Sequence, residues 1–452
     1  MKALAVFWIW TLTGIAVAPV AFAQRMFVPA ACDLTKAFVE SVENWEQPAD
    51  DLVVDYNKSG FKFTDNKKRI LGCAFPTVKV LGVPAMETRF FFASDRTKID
   101  RLEFTLYDKG DAARENVEMS REDFDRMLSS VATKLSDGEP PKIVSRKGLN
   151  GITCSRAWPK RVPAAELSWG LSGPKGAEQI EYATLKFFRE KPAEARIGLR
   201  AKGKASAGSK AGSAANVKKT DEGDVYIANV PMVDQGQKGY CSVAAAERVL
   251  RYFGNDVSEH EIAQMAGTQA EGGTEISSMI AAVEVIGRKC GLGKTEVVSN
   301  MRGWGDAENR LAKYNQAAKK MKRPALNLGD FVTQSGNMRT FHVGEMQAAM
   351  EPKVLKAMAL KDGSGYKRFL SGVKAQVDKG IPLFWSVQLG IYPEPECPQA
   401  FGGHMRLVIG YNAETREILY TDSWGAGHEL KRMPQEWAWT ITGNMLYLKP
   451  RM

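Results

Sequence analysis

VPMVDQGQKGYCSVAAAERVLRYFG, residues 230–254, is the stretch from which the organisation of this chain can be worked out. A glycine-bearing turn runs into Cys241, and beyond it Val243, Ala246, Val249, Leu250 and Phe253 recur with helical spacing on one face. Gly254 follows at the position where a helix commonly ends in a left-handed residue. The pattern places Cys241 in the first turn of an amphipathic helix. Unpaired backbone N–H groups and the helix dipole favour a thiolate there. A cysteine taken alone reads as a small buried apolar residue or half of a disulfide, so a nucleophile at Cys241 requires partners elsewhere in the chain.

Downstream, Ser258 and Glu261 have the spacing of a capping box and Gly267 closes a second helix, with His260 in its first turn reading as a surface residue. Glu271-Gly272-Gly273-Thr274 turns into a third helix carrying Ile276, Met279, Ile280 and Val283 on one stripe and closed by Gly287. The region that follows is basic, with ten Lys or Arg against three acidic residues from Arg288 to Arg323. It reads as a lid selecting anionic substrates or, more commonly for such a bias, an exposed helix face. His342 has no recognisable partner there. Gly380-Ile381-Pro382 then leads into a buried strand at Leu383 to Val387.

Gly402-Gly403-His404 opens a strand that runs to Tyr411, and after a turn a second strand from Glu417 ends in Asp422-Ser423-Trp424-Gly425. Pairing Tyr411 with Glu417 sets Arg406 opposite Asp422 and His404 one diagonal step away on the same face. An aspartate so placed can orient an imidazole and select the tautomer able to take a thiol proton.

The set of a cysteine on a helix after a Gln-containing turn, a Gly-Gly-His strand and a strand closing in Asp-Ser-Trp-Gly resembles the papain-like cysteine peptidases. It is most similar to the bacteriocin-leader-processing (double-glycine, family thirty-nine) group and its secreted relatives. The resemblance implies an α+β fold with a helical half and an antiparallel sheet over residues 225–452. It assigns Cys241 as nucleophile, His404 as general base and acid, and Asp422 as orienting residue. Gln235, six residues before the cysteine, becomes the oxyanion donor, whereas Gln237 has the wrong spacing. Trp424 corresponds to the tryptophan that shields the imidazole contact from water. Residues 291–365 are longer than the family leads one to expect and read as an insertion. The same acyl-enzyme could serve an acyl transferase or transglutaminase-like cross-linker, and a non-catalytic binding protein on the same scaffold is the third class. The partner is a peptide or protein substrate, with no metal, cofactor or nucleic acid called for.

Working outward to the N-terminus, the 452 residues leave room for two or three domains, and 44% apolar with 25% charged residues is ordinary globular composition. A net charge of +10 is mild for this size and accompanies no nucleic-acid motif. Residues 1–23, a basic start, an apolar run and Ala21-Phe22-Ala23, read as a secretory signal peptide, which places the protein outside the cell or in a periplasm. Membrane contact follows only if that segment stays uncleaved. Export permits disulfides; with Cys241 kept free, Cys290 and Cys397 are the natural pair in the C-terminal half. Residues 30–198 read as an α+β domain of unknown function: strands Glu87–Ala93 and Ile99–Tyr107 form a hairpin, and Ser120 caps a helix bearing Phe124, Met127, Leu128, Val131 and Leu135. In the second strand Leu102, Phe104 and Leu106 face a core while Glu103 and Thr105 face water. Residues 201–223, rich in Lys, Gly, Ser and Ala, form a flexible linker by composition. The N-terminal domain is then either a detachable pro-region or a permanently tethered unit.

Overall fold

The computed structural model describes residues 30–451 except 75–76, 149, 175, 190–213, 237–238, 256, 269–275, 301–303 and 336–337. The signal segment 1–23, most of the linker stretch (201–213) and Gln237 thus lie outside the described residues. The architecture is α+β, built on two large antiparallel sheets with separate apolar clusters. Among the described residues no helix is long and apolar enough to cross a membrane.

The first sheet has eight strands: β1 (Lys62–Phe63), β2 (Ile70–Cys73), β3 (Glu87–Phe92), β4 (Ile99–Asp108), β5 (Val144–Lys147), β6 (Gly151–Trp158), β7 (Ala164–Ser172) and β8 (Gln179–Phe188). Their spatial order is β1-β2-β3-β4-β8-β7-β6-β5. The alternation in β3 and β4 aims Phe90, Leu102, Phe104 and Leu106 into a core with Phe38, Trp45 and Phe187. Helix α1 (Arg121–Lys134) adds Phe124, Leu128 and Val131, and Ser120 Oγ accepts from the Asp123 N–H at 3.1 Å as a helix cap should.

The opposite face of this sheet is not wet. Glu103 and Thr105 are buried, as is His260, because α3 (Glu259–Ala266) from the C-terminal half packs across that face. Thr105 Oγ1 lies 3.3 Å from His260 Nε2, and Asp108 Oδ2 lies 2.7 Å from His260 Nδ1. Arg89 pairs with Glu259 at 3.1 Å, and Gln264 Nε2 donates to the Leu171 carbonyl at 2.8 Å. Gly170 permits the approach: a Cβ there would meet Gln264 Oε1 at 2.7 Å. A face that alternates polar residues can meet water or a polar partner, and here it meets the partner. Ser258 makes no side-chain cap to α3, so the capping-box reading is wrong, although Gly267 ends the helix in the left-handed region (φ 63°).

The second sheet holds β9 (Val217–Lys219), β10 (Asp224–Ile227), β11 (Leu292–Ser299), β12 (Leu383–Leu389), β13 (Gly402–Asn412), β14 (Glu417–Thr421), β15 (Lys431–Pro434) and β16 (Thr442–Pro450). Its order is β9-β10-β13-β12-β16-β11, with β14 paired to β13 and β15 to β14. Two sequence readings change here. The end of the Lys/Gly/Ser/Ala stretch is ordered, since β9 pairs with β10. Residues 291–365 are also not a simple insertion: β11 is an edge strand of the main sheet, paired along β16. Helix α5 (Trp304–Lys320) buries Ala307, Leu311, Tyr314, Ala317 and Ala318 in the same core, leaving Lys313, Lys319 and Lys320 exposed. The basic bias is that exposed side.

Helix α2 (Cys241–Tyr252) lies against β13, its ten residues from Ser242 to Leu250 and Tyr252 buried. Gly254 follows at φ 80°. Helix α4 (Ile276–Lys289) runs past Gly287, where a Cβ would meet Leu448 Cδ2 at 3.2 Å; the glycine serves close packing on β16 and does not end the helix.

Candidate active site

Cys241 is the first residue of α2 and is partly exposed, so its backbone N–H belongs to the turn that has no intrahelical acceptor. His404 stands near the start of β13 opposite Val387 of β12 and is 4% exposed. Asp422 directly follows β14 and is fully buried. The packing of α2 on β13 brings the helix start to the imidazole, and the β13–β14 hairpin brings the carboxylate to its other side.

The hairpin register differs from the sequence reading. Asn412 pairs with Glu417 and Tyr411 with Ile418, one residue from the expected pairing. A bulge at Ile409 then shifts the register so that Val408 faces Tyr420 and Leu407 faces Thr421. Continued one step, that register sets Arg406 beside Asp422, as first expected. His404 Nε2 lies 3.0 Å from Asp422 Oδ1, and the Arg406 Nε–H donates to the same oxygen at 2.8 Å.

With Nε2 committed to Asp422, His404 Nδ1 is buried without a hydrogen-bond partner among the described residues, and the Cys241 thiol is the other group that acts electrostatically on the imidazole. Burial pushes the Cys241 thiol up, but the neighbouring His404 imidazole and its charge outweigh this and hold it below the ordinary value. Burial alone would depress His404, yet its hydrogen bond to Asp422 and the Cys241 thiol beside it raise it to about 9. Burial likewise opposes ionisation of Asp422, and the bond to His404 together with the Arg406 charge brings it below the usual carboxylate range. The three shifts share a direction. They favour thiolate, imidazolium and carboxylate over the neutral forms, which is how a thiol becomes nucleophilic at neutral pH.

Trp424 lies face to face on His404, with ring centroids 4.2 Å apart and planes 3° from parallel. Gln235 is buried and tied to the strand end twice: its backbone N–H donates to the Ser423 carbonyl at 2.8 Å, and its Oε1 accepts from Ser423 Oγ at 2.7 Å. With the amide oxygen so engaged, Nε2 is turned to the other side of the amide.

Cys290 and Cys397 do not form the expected disulfide; all six cysteines are free thiols. Cys290 follows α4 at the far edge of the sheet, beside β11, while Cys397 sits in the loop before β13 and donates to the Gln399 carbonyl at 3.1 Å. Cys290 adjoins the edge strand and Cys397 the β12–β13 connection within the sheet, so lying in the same half of the chain was a poor guide to pairing.

Sequence reasoning missed three residues. Arg248, buried on α2, donates to the Pro231 and Asp422 carbonyls, both at 2.7 Å, and to Thr421 Oγ1 at 2.6 Å. It ties the cysteine helix to both the Gln235 segment and the carboxylate strand, but on a helical wheel it is merely a charged residue among apolar ones. Glu394 holds Arg406 from a loop with no motif of its own. Ser423 was quoted only as part of a signature, without the amide it orients.

A thiol at a helix start, an imidazole and a carboxylate are gathered at one site, with the imidazole bonded to the carboxylate. The model of the Peptidase_C39 like family matches residues 227–286 and 281–446, so the C-terminal region is similar to that family, which points to a cysteine peptidase. The second matched segment runs through residues 291–365, consistent with β11 and α5 being integral to the fold. No curated protein matches the chain.

Proposed function

We propose that this protein is an exported cysteine peptidase that hydrolyses peptide bonds through Cys241, His404 and Asp422, on a papain-like arrangement of helices and sheet. The observation that carries the reading is His404 held to Asp422 through Nε2 while its buried Nδ1 stays open and the Cys241 thiol acts on the same imidazole. The Cys241 thiolate attacks the scissile carbonyl carbon, forming an S–C bond as the carbonyl π pair moves onto oxygen. The Cys241 backbone N–H and the Gln235 amide face the oxyanion, a donor type worth about 3 kcal/mol in a protected site. As the C–N bond breaks, the imidazolium gives its proton to the departing amine. His404 then takes a proton from water as the water oxygen attacks the thioester carbon, and the thiolate leaves. Asp422 keeps Nε2 engaged so that Nδ1 performs both transfers.

The test is hydrolysis of a peptide library by the chain from Gln24 onward, with and without an added amine, beside the Cys241→Ala variant. Hydrolysis products that vanish in the variant are expected. Products appearing only as amine adducts would replace the reading with an acyl transferase. Labelling of Cys241 by a thiol-reactive probe without turnover would replace it with a binding protein. Export is tested separately by the N-terminal sequence of the mature chain, expected to begin at Gln24.

A further inference from the structure

The orienting carboxylate of this site is shared. Asp422 Oδ1 accepts from His404 Nε2 at 3.0 Å and from Arg406 Nε at 2.8 Å, so two cationic donors converge on one oxygen. The imidazole, Arg406 and Asp422 side chains are all 0% exposed. A second positive charge this close would by itself push the imidazolium towards its neutral form. It does not stand by itself: Arg406 reaches Glu394 with both terminal nitrogens, Nη1 to Oε1 at 2.9 Å and Nη2 to Oε2 at 2.8 Å, and the Glu394 side chain is 5% exposed. The Tyr420 hydroxyl donates to Glu394 Oε2, and the Tyr420 ring lies under the guanidinium at 4.5 Å. The row reads imidazole, carboxylate, guanidinium, carboxylate, phenol.

Resting on the peptidase reading above, we propose that Arg406 and Glu394 are positioning residues that set the protonation of His404 through Asp422. Arg406 fixes the carboxylate plane and keeps it ionised whether or not the imidazole is charged. Glu394 cancels the arginine's charge, so the imidazolium feels the attraction of Asp422 without the repulsion of Arg406. Fixed geometry and near-neutral charge are separate contributions, supplied by different residues, and this separation yields opposite signs on removal. Arg248, Lys431, His428 and Cys397 also act electrostatically on Asp422 or its immediate neighbours, and stay constant across the variants compared.

The experiment follows the four histidines of the full mature chain by nitrogen NMR after selective labelling, with the His404 signal identified by its loss in His404→Asn. Arg406→Gln removes the repelling charge, so His404 is expected to titrate higher than in the parent. Glu394→Gln leaves the arginine uncompensated, so His404 is expected to titrate lower, by about one pH unit. The double variant Arg406→Gln/Glu394→Gln returns towards the parent value. Arg406→Lys keeps the charge without the planar fork; it holds the titration near the parent and lowers kcat while leaving KM little changed. Shifts of the same sign, or none in variants that remain folded by circular dichroism, would show a purely structural brace and overturn the proposal. Should Arg406→Gln and Glu394→Gln unfold, Arg406→Lys and Glu394→Asp carry the test, and a parent-like kcat in both would overturn it. A separate control addresses the underlying reading: if iodoacetamide alkylation of Cys241 has the same pH dependence in His404→Asn as in the parent, thiol and imidazole are not paired, and the peptidase reading falls together with the brace.

Discussion

Ser423 Oγ donates to Gln235 Oε1 at 2.7 Å, and the Gln235 backbone N–H donates back to the Ser423 carbonyl at 2.8 Å. The residue after the proposed orienting aspartate therefore fixes the amide proposed to hold the oxyanion, so imidazole and oxyanion donor are set by neighbouring residues of one strand end. Gln235→Ala should lower kcat roughly a hundredfold to a thousandfold, the usual loss for one such donor. Ser423→Ala should cost less, roughly fivefold to tenfold, because the amide remains but loses a hydrogen bond worth about 1 kcal/mol that orients it. Steady-state kinetics on a cleaved library peptide gives both numbers, and equal effects would mean the serine acts beyond orientation.

The raised value of His404 has a direct kinetic consequence. Hydrolysis requires a proton on the imidazole for the departing amine, so kcat/KM should fall with rising pH along a limb centred near the His404 value of about 9. In Asp422→Asn the imidazolium loses an anionic acceptor, and the limb should move to lower pH while kcat drops by roughly a hundredfold or more. A pH–rate profile from 5 to 10.5 measures both. A limb that stays put in Asp422→Asn would show that Asp422 does not hold the imidazolium.

Much of this geometry could be read before any coordinates, for identifiable reasons. The Cys241 helix declares itself through its apolar spacing and Gly254. That 404 and 406 share a face is a property of one strand, but placing 422 on that face depends on register; the expected pairing was one residue out at Tyr411, and the bulge at Ile409 restored it. What stayed hidden depends on partners distant in sequence. His260 and Glu103 read as solvent-facing because nothing local shows that α3 covers that face of the sheet, packing on β6, β7 and β8 and bonding to Arg89, Thr105 and Asp108. Glu394 and Arg248 matter for what they touch, and their neighbours in sequence carry no periodic or motif signal. The proposed pairing of Cys290 with Cys397 failed because counting thiols ignores distance.

The contact between the N-terminal sheet and α3 bears on whether that half is a detachable pro-region. Asp108 lies against His260 and also accepts from the hydroxyl of Tyr240, the residue before Cys241, at 3.3 Å. Asn150 Nδ2 donates to the Met265 carbonyl at 2.7 Å, and Arg89 pairs with Glu259, whose side chain is 1% exposed. Separation would strip these groups of their partners. Limited trypsin cleavage within 201–213 should therefore leave two fragments that co-elute in gel filtration and keep their activity. Arg89→Met, which leaves the buried Glu259 without that cation, should cost roughly 3 kcal/mol or more of stability. Fragments that part on cleavage with a large rise in activity would instead identify a pro-region.

The same interface should make stability depend on pH through Glu247. This residue is 1% exposed on α2; burial pushes its carboxyl up to about 7, with Arg251 and Arg89 opposing the rise and Glu259 adding to it. The ordinary value for a glutamate is near 4.3. Between those two values the unfolded chain has released this proton while the folded chain still holds it. The folded state binds more protons, so stability falls as pH rises across that window. Above about 7 the carboxyl ionises in the folded protein as well, and the loss levels off. Glu247→Gln removes this titration while keeping a side chain of similar shape. Its thermal midpoint should change less between pH 5 and pH 8 than the parent's, with the variant gaining on the parent at pH 8. Urea melts at both pH values provide the check, and a parent and variant with parallel pH dependence would place the linkage on other groups of the interface.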